Sequence, residues 1–220
     1  MKLPTGIIYP DMAQGSPEWL EKRKGKATAS QFSRILTPAG KLSSQADGYA
    51  KELAIQCHFD TPKELEFRPN KAMQWGTDHE PEAREAFMLQ TGADVVEVPF
   101  AIHHIYKELG CSPDGLVYHA LGDSLAAGLE IKCPALSTLV DWMLADELPP
   151  EHMAQVHGSM VVTGLRQWDF CAYYPGAPLF TKTAKWDTYT DKLQAALFEF
   201  VARYRVIKKD VERVLGKAVA

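Results

Sequence analysis

The stretch from Gly128 to Pro134 is the feature that most constrains the fold of this chain. Apolar residues alternate there with Glu130 and Lys132, and a side-chain period of two is typical of a strand with one face on a core. Pro134 cannot donate to a sheet ladder, so the strand should end before it. We therefore expect Glu130 and Lys132 to project from the same free face, about 7 Å apart.

A second acidic residue is expected beside this strand. Asp114 stands in the turn signal Ser-Pro-Asp-Gly at residues 112–115, which places a carboxylate at the end of a strand. The Gly-Asp-Ser segment at residues 122–124 predicts a hairpin loop, so the strands that carry Asp114 and Glu130 should be antiparallel neighbours. Two acids and a lysine at one sheet edge can hold a hard divalent cation and activate a water beside it, which is the chemistry of a nuclease.

An acid two positions before a lysine is a weak signal by itself. Its alternative interpretation is a solvated strand face that carries an ion pair. No other Asp or Glu precedes a lysine by two positions in the sequence. Both interpretations stay open on these residues alone.

Composition narrows the class of protein. Hydrophobic residues at 46% and charged residues at 24% fit a globular protein, and 220 residues predict one domain over the whole chain. No apolar run is long enough to span a membrane and no signal peptide is recognisable, so we expect a cytoplasmic protein with no membrane partner. Four scattered cysteines disfavour a zinc site, a disulfide framework and an iron–sulfur cluster. A net charge of −4 argues against general coating of nucleic acid but is compatible with a nuclease.

The N-terminal region offers a candidate phosphate site. Residues 16–18, Ser-Pro-Glu, predict the start of a helix that ends at Gly25. A second short helix is predicted from Thr28, and Arg23 and Ser30 flank the turn between the two. A helix N-terminus with a hydroxyl and a nearby arginine binds phosphate readily, and the alternative is plain capping by Ser30 with a surface arginine.

The helix predicted over residues 70–91 carries another acidic candidate. Glu80 has Arg84 one turn later, so one interpretation is an exposed ion pair and the other is a third carboxylate at the metal site. His79 is expected to be an ordinary helix residue. We expect Met73 and Leu89 to point inward from the same helix.

A third predicted helix, over residues 151–163, has a polar stripe of His152, Gln155 and Ser159. Such a stripe is usually solvated. If it faces a cleft instead, Gln155 can orient a water or a phosphate.

Other elements follow from periodicity and breakers. Helices are predicted at residues 49–58, 137–147 and 188–215, and strands at 94–99, 100–104, 116–118, 166–174 and 179–185. Residues 1–15 and 37–48 are predicted to be irregular.

With these residues in view, the chain resembles the phage lambda exonuclease and YqaJ-type viral recombinase family of the PD-(D/E)xK nuclease superfamily. The resemblance runs from about residue 16 to the last helix. It rests on five separated motifs in the same order: Trp19 with Arg23 and Thr28-Ala29-Ser30, Trp75-Gly76 with Glu80, Cys111-Ser112-Pro113-Asp114-Gly115, Leu129-Glu130-Ile131-Lys132-Cys133-Pro134, and Met153-Ala154-Gln155-Val156.

The resemblance implies an α/β (α+β) fold with a restriction-endonuclease-like core, in which helices flank a central mixed β-sheet. It implies a metal-dependent 5′→3′ exonuclease that degrades one strand of linear double-stranded DNA and leaves 3′ single-strand overhangs for recombination. The implied partners are DNA ends, two further copies in a ring-shaped homotrimer, and a single-strand-annealing recombinase protein. The implied source is a phage or prophage in a bacterial host.

The resemblance also implies roles for individual residues. Asp114 and Glu130 would bind Mg²⁺, or Mn²⁺ as a substitute, together with the backbone carbonyl of Ile131. Lys132 would position or deprotonate the attacking water.

Further roles are implied outside this strand pair. Glu80 and Gln155 would complete the shell around metal and water. Arg23 and Ser30 would hold the 5′-terminal phosphate. Met73 stands where relatives have an apolar wedge that separates the terminal base pair.

Two regions depart from the family pattern. The loop at residues 119–128 is longer than in the lambda relative, and residues 37–70 match poorly. The alternatives to an exonuclease are an endonuclease of restriction or repair type and a non-catalytic module that binds DNA ends.

Overall fold

A computed structural model describes residues 2–59, 71–119 and 124–216 of the chain. The strands are β1 (Gly6–Tyr9), β2 (Ala27–Thr28), β3 (Asp94–Val96), β4 (Phe100–His103), β5 (Leu109–Cys111), β6 (Gly115–Tyr118), β7 (Leu125–Lys132), β8 (Gln167–Ala172) and β9 (Phe180–Lys185). The helices are α1 (Pro17–Arg23), α2 (Ala46–His58), α3 (Lys71–Thr91), α4 (Leu136–Ala145), α5 (Pro150–Thr163) and α6 (Thr188–Leu215), with a 3₁₀ helix at Ala29–Arg34.

Within the described residues the strands form two sheets. A five-stranded mixed sheet has the order β3-β6-β7-β8-β9, in which only the β7–β8 pair is parallel. A four-stranded sheet has the order β1-β4-β5-β2. Helix α5 packs against β4 and β5 of the smaller sheet and against β7 and β8 of the larger one. This mixed α/β architecture with flanking helices confirms the predicted fold class.

Local signals place the helices around these sheets. Ser16 caps α1, because its hydroxyl accepts a hydrogen bond from the backbone N–H of Trp19 at 3.2 Å. Helix α5 begins at Pro150 and ends at Gly164, which adopts a φ of 77°. A reciprocal capping box between Asp187 and Thr190 starts α6. The predicted bounds of α6 are confirmed.

The two faces of β7 are covered by different helices. Leu129 and Ile131 pack with Ala83 and Phe87 of α3. The opposite face of the strand lies under α5, and there Glu130 is only 1% exposed. The prediction that Glu130 stands on a free face is therefore wrong. The alternation of the strand is preserved, but α5 covers its polar side, so both faces are buried.

Several short elements differ from the sequence predictions. Residues 6–9, predicted to be irregular, form β1, which pairs with β4. Residues 109–111 form β5, where the sequence predicts no strand. The predicted second short helix is a 3₁₀ helix, and its N-terminal residue Thr28 makes no side-chain capping bond. Strands of three or four residues are too short to show a clear period, which explains why the pattern does not reveal them.

Three further predictions need revision. Leu89 and Met73 of α3, both expected to point inward, are 87% and 45% exposed. Strand β7 begins at Leu125, so the loop predicted over residues 119–128 is shorter, and residues 120–123 lie outside the described part of the chain. In the poorly matching region 37–70, α2 is one turn longer than predicted, and residues 60–70 lie outside the described part.

Among the described residues, no helix is long and apolar enough to cross a membrane. All four cysteines are free thiols, and Cys111 and Cys171 are buried.

Candidate active site

The turn before β6 brings Asp114 against β7, as predicted. Its carboxylate Oδ2 accepts a hydrogen bond from the backbone N–H of Ile131 at 2.6 Å. Its own backbone N–H donates to the carbonyl of Leu129 at 3.1 Å. These two bonds fix the carboxylate beside the next strand because β6 and β7 pair antiparallel with Gly115 opposite Leu129.

Glu130 is the most deeply buried member of the site. Its Oε1 accepts hydrogen bonds from both the Lys132 ammonium and the Gln155 amide. Lys132 lies two residues along the same face of β7, while Gln155 approaches from α5. The polar stripe on α5 is therefore not a solvated face, since it points at the sheet.

The rest of the α5 stripe supports the same conclusion. Ser159, one turn after Gln155, is 2% exposed. The imidazole of His152 stacks on Phe170 of β8 with a centroid distance of 5.3 Å. The stripe thus covers the face of the sheet on which Glu130 and Phe170 lie.

Glu80 enters the site from α3. Arg84 donates to its carboxylate Oε1 at 2.6 Å, so the ion pair expected from their spacing is formed. Glu80 also lines a cleft of about 550 Å³ together with Asp114, Ile131 and Lys132. The two alternative interpretations of Glu80 are thus compatible. Met73, which is 45% exposed, lines the same cleft.

His79 lies one residue away from Glu80 but on another side of α3. Its Nδ1 lies 2.9 Å from the backbone carbonyl of Trp75, and its ring stacks on the Trp75 indole. It is an ordinary helix residue, as predicted.

The acidic groups of the site raise one another's pKa. Burial, followed by the charges of Asp114 and Glu80, raises the pKa of Glu130 to about 8, although Lys132 opposes the shift. Burial and the charge of Asp114 raise the pKa of Glu80 to about 7, against the opposing charges of Arg84 and Lys132. Burial also raises the pKa of Asp114. The positive charges of Lys132 and Arg84 therefore do not fully offset the cost of burying these three carboxylates.

Lys132 supplies part of that charge. Burial lowers the pKa of its ammonium, but the carboxylates of Glu130 and Asp114 outweigh burial and leave the pKa raised. Lys132 is a cation held by the acidic cluster.

The donor set fits a hard divalent cation. Asp114, Glu130 and the backbone carbonyl of Ile131 offer only oxygen atoms, which Mg²⁺ and Mn²⁺ prefer, and Mg²⁺ commonly uses one or two carboxylates with waters. In the described part of the chain, no group of three or more His, Cys, Asp or Glu side chains is arranged to hold a metal ion. The site thus resembles a partial oxygen shell that water and substrate would complete.

A second polar cluster forms around Arg23 at the end of α1. The Arg23 guanidinium donates to the Ser112 hydroxyl at 3.0 Å and to the Thr28 hydroxyl at 3.5 Å. The hydroxyls of Thr28 and Ser30 lie 3.4 Å apart. The guanidinium also lies over the Trp19 ring at 4.0 Å. One arginine and three hydroxyls are brought together, which is a suitable set of donors for a phosphate.

Sequence reasoning missed Ser112 and Thr28 as members of this cluster. Both lie inside quoted motifs, Ser112 two residues before Asp114 and Thr28 two residues before Ser30. The 89-residue separation of Arg23 from Ser112 hides their contact from any local pattern.

Comparison with known proteins identifies the family. A family model described as the YqaJ-like viral recombinase domain matches residues 18–166. The chain belongs to this family. No curated protein matches it at a significant level.

Solved structures of exonucleases share its fold. An alkaline exonuclease (LHK-Exo) from Laribacter hongkongensis is 31% identical, with a TM-score of 0.69 over 90% of this chain and 100% of that one. LHK-Exo in complex with dAMP matches at 29% identity over the same shares of both chains, with a TM-score of 0.70. A phage-related exonuclease from Haemophilus somnus 129PT matches 87% of this chain and 96% of its own, with a TM-score of 0.59. At 14% identity it shows the fold alone.

Proposed function

We propose that this YqaJ-like chain is a metal-dependent 5′→3′ exonuclease that degrades one strand of linear double-stranded DNA and leaves 3′ single-strand overhangs. The observation that carries the proposal is the convergence of Asp114, Glu130 and Lys132 at one edge of the sheet, with Glu80 of α3 lining the adjacent cleft. Membership of the family and the likeness to an alkaline exonuclease support it.

Each residue of the sheet edge has a chemical task in this proposal. Asp114, Glu130 and the carbonyl of Ile131 would hold Mg²⁺. When bound, the cation would neutralise charge on the phosphoryl oxygens and on the leaving 3′-oxygen. Lys132 would position the attacking water as a cation, or would take its proton when the charge of the bound Mg²⁺ disfavours the ammonium.

Neighbouring side chains orient this machinery. Gln155 donates to Glu130 and holds its carboxylate from the side of α5. Glu80 presents a further carboxylate to the cleft from α3. The charge of the cluster attracts a cation, and the cleft admits a phosphodiester.

Recognition of the DNA end is assigned to the Arg23 cluster. A terminal 5′-phosphate carries more charge than a phosphodiester, and the guanidinium with the hydroxyls of Ser112, Thr28 and Ser30 can bind it by charge-assisted hydrogen bonds. Met73, partly exposed in the cleft, is proposed as the apolar wedge between the terminal bases.

The proposal is tested with end-labelled linear duplex that carries 5′-phosphate or 5′-hydroxyl termini, with and without Mg²⁺. We expect release of nucleotides from the 5′ end, dependence on Mg²⁺, and faster digestion of the phosphorylated duplex. Release from the 3′ end would contradict the direction, and full activity in excess EDTA would contradict the metal.

Covalently closed circular duplex separates an exonuclease from an endonuclease. We expect the circle to resist the protein under conditions that digest the linear form. Cutting of the circle would favour a restriction- or repair-type endonuclease, and a lack of any hydrolysis would favour a non-catalytic end-binding module.

The proposal also covers the oligomeric state of the protein and its protein partner. By family likeness we propose a ring-shaped homotrimer that encloses duplex DNA and acts with a single-strand-annealing protein. Sedimentation equilibrium should give three times the 24.5 kDa chain mass, and a monomer would exclude the ring.

A further inference from the structure

The guanidinium of Arg84 joins three separate segments around the cleft. Its Nη2 donates to Glu80 on α3 at 2.6 Å, and its Nη1 donates to Glu97, between β3 and β4, at 2.9 Å. Its Nε donates to the backbone carbonyl of Asp114 at 3.2 Å. The Arg84 side chain is 12% exposed, so its three hydrogen bonds are largely shielded from solvent.

The contact with Asp114 differs from an ordinary helix ion pair. An arginine that served only to pair with Glu80 one turn away would need no partner outside α3. Here the same group also fixes the backbone of the turn that presents the Asp114 carboxylate. The relative positions of the two carboxylates, which come from different elements, therefore depend on one side chain.

Only arginine suits this geometry. Its planar guanidinium carries donors on three nitrogens in a fixed arrangement, whereas a lysine ammonium is a single point that cannot reach three separated acceptors at once. Glu97, with its carboxylate side chain 71% exposed, closes the outer side of the guanidinium and restrains its rotation.

We propose that Arg84 is a positioning residue, which holds Glu80 and the Asp114 turn in register so that both carboxylates face the same cleft and complete the cation site. The proposal rests on the metal-dependent nuclease function proposed above. It assigns Arg84 no contact with the reacting atoms.

Arg84→Lys is the decisive variant because it keeps the positive charge. Any change in cation binding then reports geometry and not the loss of a charge near the carboxylates. The first measurement is thermal unfolding of the protein during titration with MgCl₂ alone, which needs no catalysis. The second is kcat and KM on 5′-phosphorylated linear duplex at saturating Mg²⁺.

We expect Arg84→Lys to raise the Mg²⁺ concentration at half-maximal stabilisation by about tenfold, and to lower kcat by about tenfold, as for other residues that orient metal ligands. KM for DNA ends should stay within about twofold, because Arg84 does not touch the DNA in this proposal. Arg34→Lys is the matched control. Arg34 makes a bidentate ion pair with Glu52, at 2.8 Å for both bonds, away from the cleft, and its variant should match the wild type in both measurements.

A folded Arg84→Lys variant that binds Mg²⁺ and turns over like the wild type would overturn the proposal. If this variant does not fold, Glu97→Ala decides, since it releases only the exposed side of the guanidinium. We expect it to shift the Mg²⁺ midpoint upward by about threefold, a smaller change than loss of the whole contact set. An unshifted midpoint would overturn the proposal.

The wild-type protein in the same assays separates this inference from the proposed function. A wild type without Mg²⁺-dependent nuclease activity would contradict the function. An active wild type with an unaffected Arg84→Lys variant would contradict the positioning role alone.

Discussion

At the scale of single residues, Lys132 and Glu130 show how one strand assembles an ion pair. Their spacing places both on one face of β7, and the ammonium contacts the carboxylate directly. Burial makes this pair costly to break, because either charge left alone in the interior would be poorly solvated. A substitution at Lys132 therefore tests chemistry and electrostatics together.

We predict that Lys132→Ala lowers the rate of duplex digestion by about 10²–10⁴-fold, the usual contribution of a group that handles a proton in the transition state. DNA binding in Ca²⁺ should persist, as measured by fluorescence anisotropy. Lys182→Ala on β9, which removes an ammonium paired with Asp146, is the control and should keep wild-type activity. Wild-type turnover by Lys132→Ala would refute the assigned role.

Arg23 gives a second prediction at this scale. Loss of a charged hydrogen-bond donor to phosphate corresponds to about tenfold or more in rate, so Arg23→Ala should reduce the preference for 5′-phosphate over 5′-hydroxyl ends to near unity. The readout is the ratio of two rates for one variant, which a general loss of stability does not change. Lys22→Ala, whose ammonium lies over the Tyr9 ring, should keep the wild-type ratio. A preserved ratio in Arg23→Ala would exclude the phosphate site.

At the scale of elements, the pairing of β7 with β8 decides how closely the two strands can pack near the site. Gly128 lies opposite Trp168, and a Cβ at residue 128 would come within 2.3 Å of the indole ring. Trp168 is fully buried, so it has little room to move aside. Glu130 stands two residues further along the same face.

We therefore predict that Gly128→Ala lowers the free energy of unfolding by about 1–3 kcal/mol through overpacking. Urea denaturation in EDTA measures the change without a contribution from metal. Gly48→Ala in α2 is the matched control, because a Cβ at residue 48 would meet no described atom within 4 Å. This control should be neutral or more stable by up to about 1 kcal/mol. Equal stability of Gly128→Ala and wild type would contradict the tight packing.

At the scale of the whole molecule, α5 connects the two sheets and covers the polar face of β7. Its polar stripe meets Glu130, while its apolar residues Val156 and Met160 are fully buried in the core. The same helix therefore contributes to stability and to the site. A change in the position of α5 would affect both.

The buried His103 contributes one part of the pH dependence of global stability. Burial lowers the pKa of His103 to about 4, and its Nδ1 accepts hydrogen bonds from the backbone N–H groups of Ile105 and Tyr106. The folded state holds this imidazole neutral, whereas the unfolded chain takes up a proton below about pH 6.5. His103 therefore favours folding above that pH and loses this contribution as the pH falls toward 4.

We predict that His103→Asn, which can still accept a hydrogen bond, weakens this dependence. Between pH 7.5 and pH 5 the wild type should lose about 1–2 kcal/mol more unfolding free energy than the variant. Urea denaturation of both proteins at the two pH values gives the difference. Parallel pH profiles would show that His103 does not titrate between the two states.

Local patterns in the sequence are sufficient for much of the fold. The period of two places Glu130 and Lys132 on one face, the turn at Asp114 locates the second acid, and apolar repeats give the bounds of α6. These features depend on residues within a few positions of one another. Short strands such as β1 and β5 escape prediction because three or four residues carry too little pattern.

The sequence by itself thus determined that Glu130 and Lys132 share one face of their strand and that Asp114 stands in the turn beside it. Only the tertiary structure decided that α5 covers Glu130, that Arg23 meets Ser112, and that Arg84 joins α3 to the Asp114 turn. The physical reason is that these contacts join segments far apart in the chain. Their formation depends on how whole faces of helices and sheets bury apolar surface, which no local period specifies.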